Sequence, residues 1–467
     1  MQGISRTEAL ILVAMTLAVL MDGIDSSIVN VALPTIAAGF GTDVGVAAWI
    51  TIIYFMMIAG MMLMFGRIAD SGYIKKVFLL GFVIFTVASL MCGLSTSFTM
   101  LCVSRAVQGM GAAMLGAVAP MMCVKFIPAE NLGFSLGVLT LASAVGLSLG
   151  PALGGIITDH LSWNWIFFIN IPIGLFAVLY GHFVIPKDVP EKGRHLDLPG
   201  SAALFACIVS GVLALENVSV PGMTALVLVS TAVCVLCLAA FILIERRSPQ
   251  PLLKLSVFRI RDLDLLIVSY LTINIVYYGL AYMLPFYLNV ELNLDATTSG
   301  LILLIPAIIT LLMCIPVGKA CDIHGRRPFA VAANIIQVIY CVSLFILRPD
   351  MGIWPLIPIS ILIGVVEGLC GASSSSRIVD AVPEGEKGMG STLMNFIMYM
   401  SGTVGTAMLA SLFNFGASSE GTPIDQLPPE VFMDGFTFAM LFTIVVAVVS
   451  LVTAWAVNET KKPRTSE

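Results

Sequence analysis

The sequence predicts an all-α integral membrane protein. Of its 467 residues, 58% are hydrophobic and 11% are charged, whereas about a quarter of the residues in soluble domains are charged. Fourteen apolar runs are each long enough for a helix that crosses a bilayer core about 30 Å thick. The formal net charge of -5 offers no basic surface for nucleic acid. A water-soluble globule and a nucleic-acid-binding protein are therefore both excluded.

The fourteen runs divide the chain into three predicted domains. Residues 1–186 form an N-terminal six-helix bundle, 187–263 form two inserted helices with cytoplasmic linkers, and 264–467 form a C-terminal six-helix bundle. The first six runs span 9–31, 46–65, 77–96, 99–123, 132–157 and 165–185, the inserted pair spans 199–215 and 223–244, and the last six span 264–288, 298–317, 329–347, 354–373, 389–415 and 435–457. Nearly all of the ten cysteines lie inside these runs, which favours apolar packing over disulfides or metal binding.

Basic residues set the expected orientation, because short cytoplasmic loops retain Lys and Arg. With fourteen spans and a cytoplasmic N-terminus, all basic residues fall in cytoplasmic segments except Arg105, within a span, and Arg348, in an external loop. A missed or extra helix would invert this pattern downstream. Both termini are therefore predicted to be cytoplasmic.

A repeat relates the two bundles. The segment Gly66-Arg67-Ile68-Ala69-Asp70 returns, with its following basic residues, as Gly318-Lys319-Ala320-Cys321-Asp322, an offset of 252 residues from Gly66 to Gly318. Parallel halves of this kind are typical of secondary transporters that bind substrate between the halves near the bilayer midplane.

The first run contains two acids, Asp22 and Asp25, followed by Asn30 and a Leu33-Pro34 exit. A charged side chain at the bilayer centre costs about 2.5–3.5 kcal/mol on insertion scales and usually faces a bundle interior or an aqueous cavity. An acid at a helix end that reaches water is the simpler alternative for Asp25.

The fourth run contains an intramembrane arginine, Arg105, three residues before Gln108. Residues three apart share a helix face. Arg does not deprotonate in proteins, so Arg105 is expected to bias a neighbouring carboxylate by charge and hydrogen bonding. A structural role in binding backbone carbonyls is the alternative.

Small residues mark the fifth run, in the sequence Gly146-Leu147-Ser148-Leu149-Gly150-Pro151-Ala152-Leu153-Gly154-Gly155. Glycines four residues apart permit close helix approach, and proline permits a bend; general packing is the alternative. The sixth run opens with the segment 163–174, which contains two tryptophans and is predicted to anchor at the membrane interface.

Together and in this order, these motifs resemble the major facilitator superfamily and, within it, the drug:proton antiporters with fourteen spans. The resemblance covers nearly the whole chain. It implies the major facilitator fold, with two six-helix bundles plus two inserted helices. In the family the span-four Arg is implicated in proton transfer, which implies this role for Arg105, and Asp25 occupies the acidic position of the family's span-one motif. The span-five motif also matches the one associated with exporters, through Gly146, Gly150, Pro151, Gly154 and Gly155.

The repeated loop resembles the superfamily's conformational latch, in which an Asp and following bases bind neighbouring helices. The matching residues are Gly66, Asp70 and Lys76 in the first copy and Gly318, Asp322, Gly325 and Arg326 in the second. The first copy departs from the pattern, because Tyr73 and Ile74 stand where the family has Gly and Arg. A solvated basic loop that only sets topology is the alternative.

Polar residues outside the motifs complete the candidate site. Glu367 in the twelfth run is a further intramembrane acid, with a coupling role or a bonded structural role. Asp25 is predicted to be the proton-coupling group, with Asp22 tuning it or recognising cationic charge. The predicted substrate cavity consists of Asn30, Gln108, Asn274, Tyr277, Tyr278, Asn395 and Tyr399, for each of which helix packing is the alternative.

The leading functional hypothesis is therefore export of amphipathic or cationic organic compounds across the plasma membrane in exchange for protons. An exporter of one metabolite and an uptake permease are the alternatives. The chain has no HExxH, GxSxG or Walker-type motif and its four histidines are dispersed, which argues against an enzyme or a metal site. No cofactor is expected, and the predicted partners of the monomer are a small molecule, protons and lipid.

Overall fold

The structure is a computed structural model, and it describes residues 5–190, 197–220, 222–248, 251–253, 255, 261–371, 373, 387–418 and 422–457. The described residues are almost entirely helical. The helices are α1 Arg6–Phe40, α2 Val44–Ile68, α3 Ile74–Gly93, α4 Phe98–Phe126, α5 Ala129–His160, α6 Trp165–Phe168, α7 Asn170–Val184, α8 Leu198–Glu216, α9 Thr224–Arg247, α10 Arg261–Phe286, α11 Ala296–His324, α12 Arg327–Ile346, α13 Leu356–Cys370, α14 Lys387–Ala417 and α15 Pro429–Ala456. The all-α prediction is confirmed.

Twelve helices in the described residues are long and apolar enough to cross a membrane. One of them, Val44–Gly93, joins α2 and α3 through a π-helical segment, Ala69–Tyr73, while α13 is apolar but shorter. The number of fourteen spans stays a prediction, as do the domain boundaries at 186 and 263 and the cytoplasmic termini.

The helices pack as two halves with an inserted pair. In the first half α1 packs on α5, and α4 packs on both α2 and α3; in the second half α10 packs on α14, α11 on α13 and α12 on α15. Two helix pairs make the most extensive contacts between the halves, α5 with α11 and α2 with α14. The second of these contacts is called the α2/α14 seam below. The inserted helix α8 packs on α9 and also on both helices of this seam.

The two ends of the bundle differ in charge. At the acidic end, Asp43 and Asp295 are the N-caps of α2 and α11, where their carboxylates accept backbone N–H groups. At the basic end lie Arg67 in the last turn of α2, Lys75 and Lys76 in the first turn of α3, and Arg246 in the last turn of α9. The acidic end is the predicted external side.

The halves touch each other at the acidic end. Asp159, at the end of α5, accepts hydrogen bonds from the backbone N–H of Thr297 at 2.6 Å and from its hydroxyl at 2.6 Å. The N–H of Ile424 donates to the carbonyl of Thr42 at 3.3 Å. Because each bond joins the first half to the second, the bundle is closed between its halves at this end.

The glycines of α5 explain how tightly this helix packs. A Cβ added to Gly146 would lie 2.6 Å from the carbonyl oxygen of Leu20, and one on Gly154 would lie 2.6 Å from that of Ile28, both on α1. A Cβ on Gly155 would instead overlap the carbonyl oxygen of Ala296 on α11. One row of glycines thus fits α5 against α1, and Gly155 fits it against the second half.

Candidate functional site

Asp25 lies in a sealed polar site inside the first half. Its side chain is fully buried and accepts hydrogen bonds from Arg105 Nη1 at 2.7 Å, Gln108 Nε2 at 2.8 Å and Asn170 Nδ2 at 2.8 Å. These donors project from α4 and α7 towards α1. A carboxylate with three donors, one of them cationic, is compensated in a site that excludes water.

Arg105 is also enclosed, with 1% of its surface exposed. Its Nη1 donates to Gln108 Oε1 at 2.7 Å as well as to Asp25, and its Nε donates to the backbone carbonyl of Ile50 at 3.2 Å. The Gln108 amide in turn donates to Ser89 Oγ at 2.9 Å. The guanidinium therefore binds a carboxylate and a backbone carbonyl at once, so both sequence interpretations of Arg105 describe contacts that it makes.

Asp22 occupies different surroundings from Asp25, although it stands three residues earlier on α1. Its side chain is partly buried, and it accepts a hydrogen bond from Tyr54 Oη at 2.9 Å and from Tyr399 Oη at 2.5 Å. Tyr54 belongs to α2 and Tyr399 to α14, so Asp22 is bonded across the α2/α14 seam. The sequence placed both acids in one poorly hydrated cavity, whereas Asp25 is sealed within one half and Asp22 lies between the halves.

Tyr54 connects the two acids. Its hydroxyl binds Asp22, while the guanidinium carbon of Arg105 lies 3.9 Å from the centre of its ring. A cation over an aromatic face is attracted by the ring quadrupole. The order of contacts is therefore Asp22, Tyr54, Arg105, Asp25, and Tyr54 contacts both Asp22 and the cation that binds Asp25.

An aromatic cluster lies beside Asp22 where the halves meet. The ring of Phe55 on α2 lies 5.3 Å from that of Tyr278 on α10 and 6.2 Å from that of Tyr399 on α14. Tyr277 follows, with its ring 5.2 Å from that of Tyr278. Three of the predicted cavity residues, Tyr277, Tyr278 and Tyr399, thus meet here in a buried aromatic cluster that carries hydroxyl groups.

Glu367 on α13 is the remaining intramembrane acid. Its Oε1 is buried and has no hydrogen-bond partner among the described residues. It interacts electrostatically with Tyr277 and Tyr278 on α10, and Tyr278 also interacts with Asp22. Tyr278 of the aromatic cluster therefore interacts with Asp22 of the first half and with Glu367 of the second.

The other predicted cavity residues are not part of the aromatic cluster. Asn30 accepts a hydrogen bond from Thr51 Oγ1 at 3.3 Å, and Asn274 donates to the carbonyl of Tyr270 at 2.7 Å. Asn395 is half-buried on α14. Gln108, predicted to line the cavity, is fully buried in the Asp25 site.

The predicted latch lies at the basic end. Arg67 forms a 3.9 Å ion pair with Asp70, and the backbone N–H groups of Lys75 and Lys76 donate to Asp188, beyond α7, at 2.7 and 3.1 Å. Gly72 has a φ of 97°, in the left-handed region, and stands one position before the Gly that the family pattern expects. The loop is therefore bonded to a neighbouring segment, as a latch requires, although its Tyr73 departs from the motif.

In the second copy a Cβ added to Gly318 would meet none of the described atoms within 4 Å, and Gly325 has a positive φ of 86°. Arg326 is the N-cap residue of α12. The side chain of Asp322 lies outside the described part of the structure. The latch role of both copies stays a prediction.

Two residues of the Asp25 network are absent from the sequence prediction. Asn170 lies in the segment 163–174, whose tryptophans indicate an anchor at the membrane interface. Tyr54 lies in an unbroken apolar run. A polar amide inside an apolar run was the available signal for Asn170. Nothing in the sequence distinguished Tyr54 from a packing tyrosine.

These features define a class of protein. Two packed helical halves, carboxyl groups within the membrane, and an aromatic cluster where the halves meet are the architecture of a secondary transporter. Among the described residues there is no group of three or more His, Cys, Asp or Glu side chains that could hold a metal ion.

The chain belongs to the major facilitator superfamily, whose family model matches residues 15–406. It is similar to the riboflavin transporter RibZ of Clostridioides difficile, with 30% identity over 409 residues, covering 87% of this chain and 89% of that protein. It is also similar to an Escherichia coli O157:H7 protein named as a multidrug resistance protein, MdtD, with 28% identity over 415 residues and 88% of each chain covered.

Solved structures agree on the fold. A bacterial homologue of the human lysosomal transporter Spinster, in an inward-facing and unoccupied conformation, matches with a TM-score of 0.68 at 13% identity, covering 97% of this chain and 98% of that one. The prediction of the superfamily and its fold is confirmed. The protein is a multi-pass transporter of the inner membrane and not an enzyme.

Proposed function

We propose that the protein exports amphipathic or cationic organic compounds in exchange for protons. The observation that carries this proposal is the position of Asp22, whose carboxyl group is bonded to one tyrosine from each half. Alternating access requires the halves to separate, so the charge on Asp22 bears directly on the contact that must break. The similarity to MdtD supports a drug-like substrate.

We assign the exchanged proton to Asp22 in place of Asp25. Asp25 already has three donors, including the guanidinium of Arg105, and a proton on it would compete with all of them. Asp22 has two tyrosine hydroxyls and no cation in direct contact among the described residues. A proton or the cationic centre of a substrate neutralises it, so the two compete for one carboxylate and exchange follows.

Asp25 and Arg105 then act as positioning residues. Their ion pair holds the guanidinium over the face of the Tyr54 ring, and the Tyr54 hydroxyl donates to Asp22. Glu367 supplies a second carboxyl group on the far side of the aromatic cluster. A substrate that lies on Phe55 and Tyr278 would have an acid at either edge, which accommodates one or two positive charges.

A second candidate is transport of one planar aromatic metabolite. Two observations favour it, namely the 30% identity to a riboflavin transporter and the cluster of Phe55, Tyr278 and Tyr399. Stacking on aromatic rings recognises a neutral flat molecule without any carboxylate. This candidate therefore predicts transport that is insensitive to the charge on Asp22.

Inside-out vesicles that contain the protein test both candidates. A panel of lipophilic cations, neutral amphipathic compounds and riboflavin is offered under an imposed pH gradient, and a pH-sensitive dye reports proton movement. Uphill accumulation of cations with proton counterflow supports the first candidate. Transport of riboflavin alone, with no dye response, supports the second and rules out the first.

A further inference from the structure

The inserted helices lie along the line where the halves meet. α8 packs on α2 and on α14, one helix from each half. Phe205 of α8 lies directly against Gly60 of α2, where an added Cβ would overlap its ring. Just beyond α8, the hydroxyls of Ser219 and Ser411 are 3.1 Å apart, which ties the inserted pair to α14 at the acidic end. The inserted pair therefore contacts both halves through α8, and its contact with the second half reaches the closed, acidic end.

α8 ends in a carboxyl group at this closed end. Glu216 is 8% exposed, and its Oε1 is buried without a hydrogen-bond partner among the described residues. α8 packs on α2, α9 and α14. Two described titratable groups interact electrostatically with Glu216. They are Asp43, the N-cap of α2, and Tyr282 on α10.

Neither neighbour compensates a negative charge on Glu216. The Asp43 carboxylate is like-charged, is itself 7% exposed, and accepts the N–H of Val46 at 2.6 Å as the N-cap of α2. The Tyr282 hydroxyl is directed away, because it donates to the carbonyl of Val44. An enclosed carboxylate beside a second carboxylate is unfavourable, so the closed arrangement favours the neutral form of Glu216.

We propose that Glu216 is a proton-binding site through which the inserted helices control the acidic end of the transporter. Glu216 holds a proton while the α2/α14 seam is closed there, and it ionises when the seam opens and water reaches it. Loss of the proton therefore favours the open arrangement, and acid on this side favours the closed one. Because one proton is involved, the ratio of open to closed molecules changes by at most about tenfold per pH unit.

This site is separate from the substrate site, and its role holds whichever compound is transported. Hydrogen–deuterium exchange of the purified chain in lipid nanodiscs measures opening of the acidic end without any transport assay. The informative peptides cover residues 41–47 and 411–417, which flank the seam at the acidic end. Each variant is compared with wild type at the same pH, at one acidic, one neutral and one alkaline value, so that intrinsic exchange rates cancel.

In wild type, protection of both peptides should fall as the pH rises. Glu216→Gln stays neutral at every pH, so its peptides should keep their protection, with exchange about tenfold slower than wild type at the alkaline value. Glu430→Gln, which removes an exposed acid at the same end, is the matched control and should follow wild type. An unchanged pH response in folded Glu216→Gln overturns the proposal.

Asp43→Asn provides an independent measurement if Glu216→Gln does not fold. Asn is as good an N-cap as Asp, so α2 keeps its start while the neighbouring negative charge is removed. An ionised Glu216 then costs less in the closed arrangement, and the pH response of both peptides should shrink. A response as large as that of wild type contradicts the proposal.

Discussion

Asp22 and Tyr399 stand 377 positions apart in the chain, yet Tyr399 Oη lies 2.5 Å from Asp22 Oδ2. This bond joins α1 of the first half to α14 of the second beside the aromatic cluster. A charged acceptor makes it stronger than a bond between neutral groups. The protonation state of Asp22 therefore sets the strength of one contact between the halves, and this relationship connects chemistry at the site with movement of the bundle.

The first prediction separates the two acids of α1. Asp22→Asn removes the charge that a proton and a cationic substrate share, so uphill export of cations should be lost, while downhill flux and transport of neutral compounds persist. Asp25→Asn leaves Arg105 buried without its carboxylate, which costs about 3–5 kcal/mol, so folded yield should fall as well as transport. Vesicle transport and the amount of monodisperse protein are measured side by side.

Tyr399→Phe is the companion variant, because it deletes the hydroxyl and keeps the ring. It should weaken coupling without abolishing binding. Wild-type proton counterflow in Asp22→Asn vesicles would mean that Asp25 or Glu367, and not Asp22, binds the exchanged proton.

The second prediction is that Arg105→Lys is not conservative. Lys keeps the charge but lacks the planar guanidinium that binds Asp25, Gln108 and Ile50 together and lies over Tyr54. Hydrogen bonds to charged groups contribute about 1.5–3 kcal/mol each, so export should fall by at least about tenfold. Initial rates in vesicles at matched protein content measure the effect, and near-normal export would show that charge alone suffices.

The sequence was sufficient for the fold because its signals are local. Apolar length, basic loops and the repeat at Gly66 and Gly318 each depend on a few neighbouring residues. The same holds for the α5 glycines, whose fourfold spacing indicated a close helix approach without naming its partner, which is α1. Arg105 and Asp25 stand out in the sequence because a charged residue inside an apolar run is rare in membrane helices and is usually functional.

The arrangement of the site was harder to predict because it depends on how helices are rotated about their axes. Asp22 and Asp25 are three residues apart, and that spacing alone favours one shared environment. A modest rotation places one of them towards α4 and α7 and the other towards α14. Tyr54 and Asn170 reach Asp22 and Asp25 from other helices, so only the three-dimensional packing reveals them.

The third prediction concerns sidedness. The basic residues predict that the basic end faces the cytoplasm, so reporter fusions after Lys187 and Ser248 should give cytoplasmic signals, and a fusion after Gln426 should give an external one. Paired reporters, each active on one side of the membrane only, measure this. A cytoplasmic signal at Gln426 would invert the assignment of the acidic end and the side from which Glu216 receives its proton.

The last prediction concerns the glycine that fits α5 to the second half. A Cβ on Gly155 overlaps the backbone carbonyl of Ala296, and one on Gly300 overlaps that of Pro151, so backbone rather than a flexible side chain must yield. Overpacking of this kind costs about 1–3 kcal/mol. Gly155→Ala should therefore open the contact at the acidic end where Asp159 binds Thr297.

Gly137→Ala is the matched control on the same helix. No atom of the described residues lies within 4 Å of its added Cβ, so the change should be neutral or stabilise the helix by up to about 1 kcal/mol. Thermal unfolding in detergent should show a lower midpoint for Gly155→Ala and an equal or higher one for Gly137→Ala. Hydrogen exchange at residues 296–300 should rise in the first variant only. Equal behaviour of both variants would mean that α5 and α11 do not depend on this close approach, and the span-five motif would then act through α1 alone.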